Sequence, residues 1–281
     1  MPFVQTNGAR IFYEESGQGP AVLLIQGIGV IGEGWRPQVQ GLSDRYRLAR
    51  FDNRGIGASA LIAGGALSIA AMAEDALAVL DALGVAQAHV VGHSMGGVIA
   101  QQLALSAPQR VRSLALLCTV GRGKEAVRIT WEVLLRALRM HLGSRRSRRR
   151  AFVELVLPAA LPERTELDRL AEELAPLFGR DLAEQPPILL KQARALSAHD
   201  TWHRLPELSA IPTLVVSARE DRVTLAQYGR ALATAIPGAR FIEVPGAGHG
   251  VPIHRPDLIN RLLADHFAAA DSRQAAAPAS H

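Results

Sequence analysis

The turn Gly92-His93-Ser94-Met95-Gly96 sets a serine between two glycines, after the apolar run His89-Val90-Val91 and before the helix-spaced Val98-Ile99-Ala100-Gln101-Gln102-Leu103. A strand that turns sharply into a helix strains the turn residue and projects its side chain outward. Glycines two positions away remove the β-carbons that would collide there, and Gly97 lets the helix pack close to the strand. A serine presented in this way is a candidate nucleophile. Its hydroxyl needs a base to take the proton, and the base needs a third group to fix its tautomer and orientation. Acyl transfer is the chemistry of such a trio, and it also requires donors for the developing oxyanion.

Two loops that follow late strands offer the partners. Ala218-Arg219-Glu220-Asp221 follows the strand Pro212–Ser217, and Pro245-Gly246-Ala247-Gly248-His249 follows Arg240–Val244. The order Ser94, Asp221, His249 matches the Ser…Asp/Glu…His order of one hydrolase fold and neither of the two protease orders. His93, His199, His203 and His254 compete as the base, and Glu220 and Asp200 as the acid. Asp221 is preferred for its register from the strand end. Asp200 suits a turn or cap, and His93, beside the serine, suits packing or the pocket wall. The expected oxyanion donors are the backbone N–H groups of Met95 and Ile28, the latter in the loop Gln26-Gly27-Ile28-Gly29. Gly27 to Gly32 also matches G-x-G-x-x-G, but it lacks a P-loop Lys-Ser/Thr, and a dinucleotide site would leave the serine constellation unused.

The elements that must position these residues alternate. Ile11–Tyr13, Ala21–Ile25, Arg47–Phe51, Ala88–Val91 and Val111–Leu117 read as strands. Helices are predicted over Ile69–Leu83 and from the serine turn to Ser106. Near-continuous apolar strands between helices predict an α/β fold with a mostly parallel sheet covered on both faces. From Gly121 to Leu208 strand signals cease and amphipathic helical stretches follow: Ala126–Leu142, Arg150–Leu157, Glu166–Phe178 and Pro187–Ala198. This segment, 121–208, reads as an all-helical cap inserted into a core of 1–120 and 209–268. A last strand–helix alternation ends near Phe267, and the Ala-, Ser- and Pro-rich residues 269–281 read as a disordered tail.

With 48% apolar and 20% charged residues, the chain of 281 is expected to be globular. No stretch is long enough for a membrane span and no export signal is visible, so a cytoplasmic location is the default expectation. The single cysteine, Cys118, reads as core. The net charge of +5 is local, because Arg145 to Arg150 places five arginines in six positions. Without interleaved aromatics or zinc spacing, that run reads as a solvated face rather than a nucleic-acid site.

Taken together these motifs resemble the α/β-hydrolase superfamily from about residue 3 to 267. The resemblance rests on Gln26-Gly27-Ile28-Gly29, the Asp52-Asn53-Arg54-Gly55-Ile56-Gly57-Ala58-Ser59 turn, the Gly92 to Gly97 elbow, the Ala218 to Asp221 loop and Gly248-His249. It implies a metal-free and cofactor-free serine hydrolase, most similar to cap-bearing bacterial esterases and lactonases, acting on a small-molecule ester or lactone. C–C bond hydrolysis or perhydrolysis by the same triad, and a receptor built on the hydrolase fold, are the alternatives. Two departures stand out: Gln26 where relatives carry histidine, and Ala218 where glycine is common. Candidate substrate-lining residues are Gly27, His93, Trp35, Trp131, Leu134, Leu135, Leu138 and Trp202, with Arg122 and Arg128 as candidate contacts for a substrate carboxylate.

Overall fold

The computed structural model describes residues 2–126, 139, 141–158 and 164–276. Nine strands among them form one sheet: β1 (Phe3–Thr6), β2 (Ala9–Ser16), β3 (Ala21–Ile25), β4 (Arg47–Phe51), β5 (Ala60–Leu61), β6 (Ala88–His93), β7 (Val111–Leu117), β8 (Thr213–Ala218) and β9 (Arg240–Val244). Their order is β1-β2-β4-β3-β6-β7-β8-β9, with β5 on β2. The pairs from β4 through β9 are parallel, while β2 runs antiparallel to its neighbours.

Successive residues of a strand face opposite sides of the sheet, so a strand apolar at every position serves two cores. Leu23 and Ile25 join one cluster and Val22 and Leu24 the other; Leu114 and Leu116 likewise oppose Ala115 and Leu117. Helices α1 (Arg36–Leu42), α2 (Ile69–Ala82) and α3 (Met95–Ser106) lie in the first half of the chain. In the second half come α4 (Arg145–Val156), α5 (Arg164–Phe178), α6 (Pro187–Ser197), α7 (Ala226–Ala235) and α8 (Pro256–Ala276). Helices α2, α3 and α7 cover the first face, and α1 and α8 the second.

The turn after β4 ties the sheet to the loop after β3. Asp52 accepts the Gly32 amide at 2.7 Å and the Ala58 amide at 2.9 Å, and the Asn53 side-chain amide donates to the Gln26 carbonyl at 2.8 Å. Arg54 and Asp75, both fully buried, form a bidentate pair at 2.6 and 2.7 Å, to which the Thr6 hydroxyl donates at 2.6 Å. Removing one member leaves the other charge buried and unpaired, which costs far more than the pair contributes. Asp75→Ala is therefore expected to lower stability by about 3–5 kcal/mol, measured by urea unfolding. The double variant Arg54→Met/Asp75→Leu should recover much of that loss.

Between β7 and β8 the described elements are helical apart from the isolated bridge Arg122–Asp200. Helices α4 and α5 share a small core of Val153, Leu157, Leu167, Ala171, Leu174, Leu177 and Phe178. The arginine run forms the first turns of α4, capped by the Ser144 hydroxyl accepting the Ser147 amide. Arg146 and Arg150 both clasp Asp168, and Arg145 and Arg149 both clasp Asp181. These arginines fasten α4 to its neighbours, a role beyond a merely solvated face.

One boundary is corrected. Instead of a disordered tail after residue 268, α8 continues to Ala276. Ala270 packs inward, and Asp271 pairs with Arg112 at 3.1 Å and approaches His89 at 3.3 Å. Alanine costs little entropy in a helix, so this anchor suffices to extend it. Residues 277–281 lie outside the described residues.

Candidate active site

The candidate residues lie in loops at the carboxyl ends of the parallel strands, where an open α/β sheet collects its reacting groups. Ile25 at the end of β3 is paired in register with Gly92 of β6, which puts the Gln26–Gly29 loop beside the serine turn. Ser94 has φ 56° and ψ −123°, in the left-handed half of the map that a side chain rarely occupies. Its amide donates to the Leu117 carbonyl at 2.9 Å, and its carbonyl accepts from the Gly97 amide at 2.9 Å and the Thr119 hydroxyl at 2.7 Å. A β-carbon on Gly92 would overlap the Gly96 carbonyl, and one on Gly97 would lie 2.6 Å from the Thr119 side chain. Gly92 is thus required by close backbone approach and Gly97 by the Thr119 side chain.

Asp221 follows β8 and His249 follows β9. The Nδ1 of His249 donates to Asp221 Oδ2 at 2.8 Å, with the carboxylate fully buried and the imidazole nearly so. Asp221 Oδ1 accepts the Val223 and Thr224 amides, both at 2.8 Å, and the Thr224 hydroxyl lies 2.8 Å from Oδ2. Burial pushes the Asp221 carboxyl up. The facing His249 and the hydrogen bonds from His249 and Thr224 together outweigh it and hold the carboxyl below its ordinary value. Asp221 is therefore a carboxylate at neutral pH. Ala218, the residue in place of glycine, ends β8 without a positive φ and fits there as alanine.

Ser94 and His249 face one cavity, and among the described residues they are not directly hydrogen-bonded to each other. Gly27 and Ile28 line the same cavity, and Gly27 lies so close that a β-carbon there would sit 3.0 Å from Ser94 Cβ. Among the described residues, neither the Ile28 nor the Met95 amide donates to a protein acceptor. Two unengaged amides beside a serine are what an oxyanion needs. Gln26, where a histidine was the familiar residue, is buried and its Oε1 accepts the Gly27 amide at 3.3 Å, shaping the same loop.

His93 neither competes as a base nor stands apart. Burial, and then the neighbouring His249, push its imidazole down to about 3, so it stays neutral. Its Nε2 donates to the His249 carbonyl at 2.9 Å, and its ring packs 4.8 Å from that of His249 and edge-on to Trp35. It lines the cavity and braces the backbone of His249. His93, Cys118 and His249 bring possible metal-ligand atoms within 4.8 Å of one another. One nitrogen of each histidine is engaged, that of His249 by Asp221 and that of His93 by the His249 carbonyl, and burial pushes the Cys118 thiol well up.

Residues 20–256 match the family model described as the alpha/beta hydrolase fold, most of the chain. This protein is an α/β hydrolase. Over 263 residues the hydrolase is 34% identical to RutD of Azorhizobium caulinodans, provisionally named a carbamate hydrolase, covering 94% of this chain and 97% of that one. The enol-lactonase of Burkholderia xenovorans LB400 superposes with a TM-score of 0.77 at 27% identity, over 95% of this chain and 100% of the other. Est816, described as an N-acyl homoserine lactone degrading enzyme, gives a TM-score of 0.77 at 30% identity, over 94% and 99%.

The cavity of this α/β hydrolase has a volume of about 350 Å³. Its far wall comes from α4 and α5, chiefly Phe152, Leu155, Leu170, Leu174, Leu177 and Phe178. None of these was singled out from sequence, where their helical spacing is that of any core face. Two expected lining residues are corrected. Trp35 is fully buried in the core, where it packs edge-on to His93 and does not line the cavity. Trp202 lies at a separate surface hollow, under Arg122, whose guanidinium sits 4.0 Å above its ring. Arg122, held by that stacking and by the Glu125 ion pair, does not line the cavity beside Ser94. Trp131, Leu134, Leu135, Leu138 and Arg128 lie outside the described residues. His199 and His203 stand off the cavity, His254 contributes only to its wall, and Asp200 accepts the Trp202 amide as a turn residue. No described helix is long and apolar enough to cross a membrane.

Proposed function

We propose that this hydrolase cleaves a carboxylic ester or lactone through an acyl-enzyme on Ser94. The observation that carries this reading is the strained Ser94 sharing one cavity with Ile28 and with His249, which the buried Asp221 holds by hydrogen bond. His249 Nε2 takes the hydroxyl proton as Oγ bonds to the carbonyl carbon, and the carbonyl oxygen becomes an anion held by the Ile28 and Met95 amides. The imidazolium, stabilised by Asp221, returns its proton to the leaving alkoxide as the C–O bond breaks. Water then adds to the acyl-enzyme by the same path, releasing the acid and restoring Ser94. In a lactone the leaving alkoxide stays tethered to the acyl group and the product is a hydroxy acid.

The lining selects for an apolar substrate body, since beyond the catalytic end the wall is dominated by leucine and phenylalanine. The lactone-acting neighbours named above support the lactone branch of this reading. A panel of p-nitrophenyl esters of graded acyl length, lactones and an aryl carbamate, assayed on wild type and Ser94→Ala, tests it. Ester or lactone turnover should exceed carbamate turnover and fall by about 10⁴-fold or more in the variant. No ester or lactone turnover, together with ligand-induced thermal stabilisation, would favour a receptor instead.

Leu174 sits on the wall formed by α5. Leu174→Trp should fill the cavity and lower kcat/KM for an octanoate ester by about tenfold or more, while acetate turnover changes little. Equal loss for both chain lengths would place the acyl group elsewhere.

A further inference from the structure

The loop carrying the Ile28 amide is held from two sides, and only one belongs to the core. On the core side Asn53 binds the Gln26 carbonyl at 2.8 Å. On the other, the Gly29 amide donates to Gln192 Oε1 at 3.0 Å, and the Gly29 carbonyl accepts from the Arg180 guanidinium. Gln192 lies on α6 and is completely buried; Arg180 follows α5. Both peptide planes that meet at Gly29 are therefore fixed by the helical insertion. Gly29 has φ +67°, and a β-carbon there would overlap Leu189 of α6, so the insertion rests directly on the loop. The same insertion reaches the base, where the Val156 carbonyl at the end of α4 accepts the Gly250 amide at 2.7 Å.

We infer that Gln192, with Arg180, is a positioning residue for the oxyanion donor: the insertion aims the Ile28 amide as well as walling the cavity. This rests on the acyl-transfer reading above. The Ile28 N–H belongs to the peptide immediately before the one Gln192 grips, so freeing Gly29 lets the Ile28 plane rotate away from the carbonyl oxygen. Small misplacements of such a donor are costly, because its worth depends on preorganisation. A loop held by the insertion also couples the two: any movement of α6 away from the core would disarm the hole, and its return would rearm it.

The experiment compares wild type, Gln192→Met and Arg180→Met on p-nitrophenyl hexanoate and with an alkyl trifluoromethyl ketone, whose adduct on Ser94 carries an oxyanion. Methionine keeps the length of glutamine but cannot accept the Gly29 amide. Gln192→Met is expected to lower kcat about 10- to 100-fold with KM within about twofold, and to weaken the ketone in parallel. Arg180→Met should move both in the same direction by less, with thermal unfolding reported for each variant to establish folding. An active wild type with unchanged kcat and ketone affinity in both folded variants overturns this inference alone. A wild type without esterase activity overturns the acyl-transfer reading and this inference with it.

Discussion

Replacing Ser94 with alanine is expected to lower ester turnover by about 10⁴-fold or more, with substrate still bound at a similar KM. The expectation follows from the division of labour in the site. In the proposed acyl transfer Oγ forms the covalent bond, whereas the cavity wall of Phe152, Leu170, Leu174 and Phe178, proposed to hold the substrate, is untouched by the change. The Ile28 and Met95 amides also remain, so a residual rate over water is expected from the oxyanion donors alone. Alanine removes the nucleophile without relieving the backbone: position 94 keeps its β-carbon and its positive φ. Circular dichroism and urea unfolding should accordingly be close to wild type, so lost activity reads as lost chemistry.

The second large effect lies at Asp221. Asp221→Asn should lower kcat by about 10⁴-fold, through the tautomer of the base rather than through packing. Oδ1 accepts two backbone amides, from Val223 and Thr224, at 2.8 Å each. Those donors hold the oxygen of an introduced asparagine in place, which turns its NH₂ toward His249 Nδ1. An imidazole facing a donor must accept at Nδ1 and carry its proton on Nε2, where it can no longer take the proton of Ser94. Raising the pH should not restore the rate, because the fault is the position of the proton and not its number. A variant that regained wild-type kcat at high pH would contradict this account of Asp221.

The elements of the core and the site were legible in the sequence for a common physical reason. The serine elbow, the Asp221 loop and His249 each follow a strand built on a short apolar run: Val90-Val91, Leu214-Val215-Val216 and Phe241-Ile242. Such strands announce themselves locally, and a parallel sheet then gathers their loops at one end. The cavity was not legible. Leu170, Leu174 and Leu177 repeat at helical spacing, which a helix uses equally to face a core or a ligand. Trp35 and Trp202 drew attention by size, yet one serves the core and the other stacks with Arg122. Gln192 left no trace at all, since it meets Gly29 across 163 positions of chain. The tail misled by composition: alanine-rich residues read as structureless, while Asp271 and Ala270 anchor them as helix.

The central claim is that Ser94 becomes acylated with His249 as its base, and active-site labelling addresses it most directly. Wild type, Ser94→Ala and His249→Ala are treated with a fluorophosphonate probe and read by intact mass, with the adduct mapped by peptide fragmentation. One adduct on wild type, located on Ser94, absent from Ser94→Ala and nearly abolished in His249→Ala, is the expected result. Labelling that persists unchanged in His249→Ala, or an adduct on any other residue, would contradict it.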